Sequence, residues 1–399
     1  MKKILCVTYG GGHVQIAVKV IKELMNRNID VQVLALTTSV FTLRDNNITY
    51  KGVKDYIDIF KDKDEILEIG SRLIDNSYNE KSGLDKEELI AYIGMNIYDL
   101  KLQNKTLEIA EEMFEKGGRQ IFFPYHTIKQ IVKQEQPDVV FLTCGQRTEK
   151  AAGIVADELN IPVVRVIDLL GEDDIIPYRA KVAVMNEMVK RNILNNNKHL
   201  HEEDIIVTGQ PNIEIVPDNS NLRLFNQRYK IKKHKNIISM FSQLNIDGRD
   251  IVIKEMIRHA KSNNDNLYFY KLHPSESTDY YLDYIKDLPK NFIFDKNIDL
   301  AAVLYFSDIA MTFFSTVGLQ VVAMDKPLIT INLTNREYGL DYSKYNCSVE
   351  INHIKNLEYT IKKLLDKNSE LSNRLKKGRK CMVIPKNSVE NIADLISNI

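Results

Sequence analysis

The chain has 399 residues, 44% of them apolar and 27% charged, with 54 Lys+Arg against 54 Asp+Glu. That length exceeds one ordinary core and predicts two domains, and the composition excludes a disordered chain. Balanced charge excludes a protein that holds nucleic acid by bulk positive charge.

The four cysteines, Cys6, Cys144, Cys347 and Cys381, stand far apart with no CxxC pair. Reduced thiols are therefore expected, rather than a disulfide framework or a zinc site. The apolar run after Lys3 is too short for a secretory signal. No run approaches the roughly 18 apolar residues of a membrane span. These features predict a cytoplasmic protein with no transmembrane segment.

In chain order, Ile4–Thr8 reads as a buried strand. Val14, Ala17, Val18, Ile21, Leu24 and Met25 then line one face of a helix, and Ile29–Leu36 is the next strand, a βαβ start. Residues 40–130 carry long charged helices, Lys86–Leu102 and Thr106–Glu115, and read as a helical insertion. The alternation returns with strand Asp138–Thr143, helix Glu149–Leu159, strands Pro162–Ile167 and Lys181–Met185, helix Glu187–Leu194 and strand Ile205–Thr208. A Pro- and Asn-rich stretch at 211–222 reads as a linker. Beyond it lie strand Asn236–Phe241, helix Ile251–Lys261, strand Leu267–Lys271, helix Asp279–Lys286 and strand Asn291–Phe294. Helix Leu300–Phe306, strand Asp308–Thr312, helix Val317–Met324, strand Pro327–Asn332 and two or three final helices complete the series. The expected organisation is an N-terminal domain over 1–210, a C-terminal domain over 223–380, and a last helix over 381–399 packing back on the first domain. The expected fold class is α/β, two Rossmann-like doubly wound domains facing across a cleft. Such sheets bind ligands at the carboxyl ends of their strands.

The residues suited to chemistry follow strands. Tyr9-Gly10-Gly11-Gly12-His13 lets the backbone approach a ligand and offers a helix N-terminus to an anion, with Gly12 a phosphate contact. His13 is a candidate general base, and Asp168, ending the strand Pro162–Ile167, a candidate base or base-orienting partner. Arg147 on the acceptor side and Glu149 as a third catalytic candidate follow the strand Asp138–Thr143, where Thr148 and Glu149 equally suit a helix cap. Gly209 and Gln210 form a turn before Pro211 whose backbone suits contact with a ligand, and both are candidate nucleotide or phosphate contacts. In the second domain, Lys271, His273 and Pro274 follow one strand, Ser242 and Gln243 another, and Ser315 and Thr316 a third. Hydroxyls, an imidazole and an ammonium at three strand ends predict a nucleotide phosphate site. The acidic run Glu172-Asp173-Asp174 reads as a solvated loop, not a metal site.

On these residues the chain resembles the GT-B superfamily of glycosyltransferases and UDP-N-acetylglucosamine 2-epimerases over nearly its full length. Tyr9–His13 resembles the glycine loop of the peptidoglycan N-acetylglucosaminyltransferase. Val207-Thr-Gly-Gln-Pro-Asn212 resembles the V-T-G-N-P junction of that enzyme and of the epimerases. Lys271-Leu-His-Pro274 and Ser315-Thr-Val-Gly-Leu-Gln320 resemble the donor-phosphate motifs of bacterial sialyltransferases, capsule transferases and CDP-glycerol transferases. The resemblance implies a metal-independent enzyme of bacterial surface-glycan synthesis, with a UDP- or CMP-linked sugar as substrate and no further cofactor. Its partners would be that donor and a saccharide or glycoconjugate acceptor, with no nucleic acid and with room for peripheral membrane contact. Gly145 and Ile167 stand where the epimerase pattern has acidic residues, and Val321 and Val322 where many donor sites carry a ribose-binding Glu. The first two departures favour a transferase over a 2-epimerase, and the third leaves cytidine and uridine both open as the donor base. A non-catalytic nucleotide-sugar binding protein on the same fold is the third alternative.

Overall fold

The computed structural model of the chain describes residues 2–74, 83–104, 106–337 and 340–399. Two compact units divide them: Met1–Asn212 with Pro385–Ile399, and Ile213–Ile384.

The first unit carries β1 (Lys3–Thr8), β2 (Asp30–Ala35), β3 (Val139–Leu142), β4 (Val163–Val166), β5 (Lys181–Val184) and β6 (Ile205–Val207) in the order β2-β1-β3-β4-β5-β6. Every pairing is parallel. Parallel strands covered on both faces are continuously apolar, which explains the unbroken burial from Ile4 to Val7 and from Val139 to Leu142. The chain winds one way from β1 to β2 and the other way from β3 onward, so the strand order reverses between β1 and β3. Helix Gly12–Asn26 buries Val14, Ala17, Val18, Ile21 and Leu24, whereas Met25, expected on that face, is 49% exposed. Helix Ser388–Ser397 closes over it, with Ile392, Ala393 and Ile396 in the same core as Val14, Val18 and Ile21.

Between β2 and β3 stands a layer of helices, including Lys63–Leu73 and Lys86–Asn104. These two pack backbone to backbone: a Cβ on Gly70 would strike the Ile90 carbonyl, and one on Gly94 the Ile66 carbonyl.

The second unit carries β7 (Ile237–Phe241), β8 (Leu267–Lys271), β9 (Phe292–Asp295), β10 (Ile309–Thr312), β11 (Leu328–Ile331) and β12 (Ser348–Ile351) in the order β12-β11-β10-β7-β8-β9. Its pairings are again parallel, and its order reverses between β7 and β10. Three sequence expectations change here. The segment expected as helix Asp279–Lys286 is a short 3-10 turn, Thr278–Tyr281, because Tyr281 is drawn fully inward while its neighbours Tyr280 and Leu282 stay exposed. The edge strand β12 was not among the predicted elements. The expected linker already turns helical at Asn219, where the Asp218 carboxylate accepts from the Ser220 and Asn221 amides at 3.2 and 3.3 Å.

Candidate functional site

In the first unit the reversal point brings the loops after β1 and β3 side by side. Gly11 takes φ 73°, a left-handed conformation that favours glycine, and launches helix Gly12–Asn26. A Cβ on Gly10 would run into the Thr38 side chain. His13 thereby stands at the carboxyl end of the sheet with its Nδ1 3.0 Å from the Thr143 carbonyl and 3.6 Å from Asp168 Oδ2. Both neighbours accept hydrogen bonds, so Nδ1 carries a proton and Nε2 is the nitrogen left for a substrate. The two side chains are 27% and 31% exposed, open enough to be reached. Burial opposes charge on the ring, but Cys144, Asp168 and Glu149 outweigh it and push His13 up to about 9. Burial also raises Asp168, against the pull of His13. The raised His13 favours an imidazolium, and the Asp168 carboxyl oxygen faces it at 3.6 Å.

Glu149 has a different position. It is completely buried, and its oxygens accept from the amides of Tyr9 at 3.1 Å, Thr143 at 2.7 Å and Cys144 at 2.6 Å. It ties the ends of β1 and β3 together, a positioning role with no face open to substrate. Burial, partly offset by His13 and those amides, pushes it up to about 7. Arg147 lies 4.4 Å above the Tyr9 ring, and its Nε is buried with no hydrogen-bond partner among the described residues.

One residue here went unnoticed in the sequence. Arg165 on β4 is 2% exposed and bonded to Asp174, with Nε and Nη1 unpartnered among the described residues. A charged residue inside the run Val163-Val164-Arg165-Val166 was the available signal. It lies directly under Gly145, where any Cβ would meet the guanidinium. Gly209, at φ 83°, turns the chain after β6. Gln210 is buried; its Nε2 donates to the Asp168 carbonyl at 2.9 Å and its Oε1 accepts from the Asn212 amide. Asn212 donates to the Gly12 carbonyl at 3.0 Å, so this turn supports both the glycine loop and Asp168.

In the second unit β10, β7 and β8 are adjacent, so the three phosphate-friendly strand ends are brought together at one edge of the sheet. The His273 Nδ1 accepts from the Ser275 amide at 3.1 Å, which leaves the proton of the neutral ring on Nε2 as a free donor. Pro274 is exposed beside it. Thr316 is exposed, and Ser315 Oγ accepts only a long bond from the Val317 amide, 3.4 Å. Gln243 Oε1 accepts from the Phe314 amide at 3.2 Å, joining the loops after β7 and β10. Two candidates are engaged elsewhere. Lys271 donates to the Lys296 carbonyl at 2.9 Å, and burial holds its ammonium below the ordinary range. Ser242 bonds to Glu276 and Tyr281 at 3.0 and 3.1 Å. Glu276, 1% exposed, also accepts from Arg249 at 2.8 Å and from the His273 amide at 2.8 Å, so it holds the His-Pro loop. Sequence reading missed Glu276, an ordinary acidic residue in a loop.

Among the described residues no three His, Cys, Asp or Glu side chains converge as a metal site, and no helix is long and apolar enough to cross a membrane.

No family model and no curated protein matches this chain. Solved structures do match over its whole length. The Staphylococcus aureus MnaA structure with UDP has a TM-score of 0.59 at 16% identity, covering 100% of this chain and 96% of its own. MurG of Acinetobacter baumannii has 0.59 at 14%, covering 100% of both chains. The UDP-GlcNAc 2-epimerase of Neisseria meningitidis, bound to UDP-GlcNAc, has 0.58 at 13%, covering 99% and 98%. The structural neighbours comprise GT-B glycosyltransferases and UDP-GlcNAc 2-epimerases. The chain accordingly has the GT-B fold, two Rossmann-like α/β domains.

Proposed function

We propose that this protein is a glycosyltransferase that moves a sugar from a nucleotide-sugar to a hydroxyl acceptor. The observation that carries the reading is the His13–Asp168 pair, partly open at the reversal point of the first sheet. Asp168 takes the acceptor proton, and the His13 imidazolium steadies the carboxylate and the charge that develops beside it. The loops after β8 and β10 hold the departing nucleotide phosphate, with the His273 Nε2–H, Ser315 and Thr316 as donors. Lys271 and Ser242, engaged within the unit, shape this edge without being its principal donors. No step here needs a metal. The donor is UDP- or CMP-linked, the acceptor a saccharide or glycoconjugate, and the setting cytoplasmic surface-glycan synthesis.

A hydrolysing 2-epimerase is the second reading, favoured by a specific observation. An acidic residue does stand beside His13, Asp168 at 3.6 Å and 31% exposed, and its carboxyl is raised by burial. Product analysis separates the two. The protein is incubated with UDP- and CMP-sugars, with and without saccharide acceptors, and followed by NMR. A new glycosidic bond that forms only with acceptor, and fails in Asp168→Asn with nucleotide affinity intact, is the expected result. Acceptor-independent release of a free sugar inverted at C2 would replace the transferase by the epimerase. Nucleotide-sugar binding without any product would leave a silent binding protein.

A further inference from the structure

At the amino edge of the second sheet, opposite the strand ends just described, lies a cavity of about 330 Å³. Asn236, Asp308 and Pro327, which immediately precede β7, β10 and β11, form one wall. The other wall is helix Glu370–Lys380, whose Ser372, Leu375, Lys376 and Arg379 follow each other at helical spacing along one face. This helix is firmly seated, since a Cβ on Gly378 would collide with the backbone of Tyr345 and Asn346.

The cavity collects cations. Lys326, Lys367, Lys376 and Arg379 line it against two carboxylates, Asp308 and Asp325. Both carboxylates are committed: Asp308 accepts from the Ile237 amide at 2.8 Å and Asp325 from Arg379 Nε at 2.7 Å. Arg379 is only 8% exposed, and among the described residues its Nη1 has no hydrogen-bond partner. Among the described residues Lys367 and Lys376 form no ion pair. Burial holds the Lys326 ammonium low, and Lys367 pushes the same way, against Asp308 and Asp325. A buried guanidinium, paired with Asp325 through Nε but with an unmet Nη1 donor and three lysines in the same lining, is stabilised by an anion that brings several acceptor oxygens.

We propose that this cavity is a second anion site, taking a phosphate-bearing small molecule of pyrophosphate or sugar-phosphate size. Arg379 and Lys326 form its floor, and Lys367 and Lys376 its rim. The site lies a strand length from the His273 edge, so it does not depend on the function proposed for that edge. A phosphorylated ligand here would press on the starts of β7, β10 and β11, the strands that carry two of the loops at the far edge.

Lysine labelling tests the site directly. The whole protein is titrated with inorganic pyrophosphate, and acetylation of each lysine is timed by mass spectrometry. At ten times its dissociation constant the ligand leaves about one site in eleven free, so labelling at Lys326, Lys367 and Lys376 is expected to slow roughly tenfold. In a Lys367→Glu/Lys376→Glu protein, both substitutions being at exposed positions, Lys326 should lose that protection. Unchanged rates at Lys367 and Lys376 would overturn the proposal, whatever happens at Lys271. So would protection of Lys326 that survives the double charge reversal.

Discussion

Replacing Gly145 by alanine probes how closely the loop after β3 is built on a buried cation. Gly145 does not have a positive φ, so alanine introduces no backbone strain and the effect is steric. The new Cβ would lie inside 3.0 Å of the Arg165 guanidinium carbon and both terminal nitrogens. At 2% exposure that guanidinium cannot swing into water. Overpacking costs about 1–3 kcal/mol, and disturbing a buried ion pair adds part of a further 3–5 kcal/mol. Asp174 is 26% exposed and regains some hydration, which keeps the second contribution small. The sum is about 2–4 kcal/mol, or roughly 30- to 700-fold in an opening equilibrium. Amide hydrogen exchange in β3 and β4 reads this in the first unit alone, without assuming that the two units unfold together. The control is Arg165→Met, whose flexible thioether can retreat from a methyl group. In that background Gly145→Ala should cost less than about 1 kcal/mol, the non-additivity expected of touching residues. A loss of protection below about fivefold in the single variant would refute the reasoning. An equal cost in both backgrounds would do the same.

Two further outcomes follow from the sites. His273→Ala removes the Nε2–H donor and should weaken UDP binding by about 1.5–3 kcal/mol, measured by calorimetry; unchanged affinity would detach His273 from the phosphate. The first unit should lose stability as pH rises, in two steps. Glu149 moves from 4.5 to about 7 on folding, so the native state holds its proton more tightly and stability falls between those values. His13 moves from 6.5 to about 9, and its contribution, complete below 6.5, fades as pH climbs to 9. Each step is worth at most about 3.5 kcal/mol, and His13→Asn should flatten the upper one in exchange measurements. A profile that rises across this range would contradict both assignments.

The strands were legible because each is a short apolar run closed by a turn or a helix start, and all the predicted ones match observed strands within a residue or two. The edge strand β12 escaped because Val349 is only half-buried and the exposed Glu350 breaks the apolar run. Tyr280, Tyr281 and Leu282 misled in the opposite sense. Their spacing suits a helix, but Tyr281 is held inward by Glu276 through a hydroxyl bond that no local pattern announces. At the site, sequence located the loops and not the division of labour within them. Glu149 and Asp168 are both acidic residues near strand ends. Only the fold shows that three backbone amides surround the first and that the second is open beside His13. The Tyr9 amide on Glu149 and the His13–Asp168 pair both join positions far apart in the chain, beyond the reach of any local pattern.

The first unit is also discontinuous. Ile392, Ala393 and Ile396 complete a core begun by Ile4 and Val14, and Lys2 donates to the Ser397 carbonyl at 3.0 Å. On the ribosome, residues 213–384 must all emerge before that last helix can dock. At ordinary elongation rates the nascent first unit waits on the order of ten seconds or more with an apolar stripe uncovered. Shortening the chain at its tail would therefore damage the half that was made first, and a chaperone that shields the stripe would have its work before the second unit is finished.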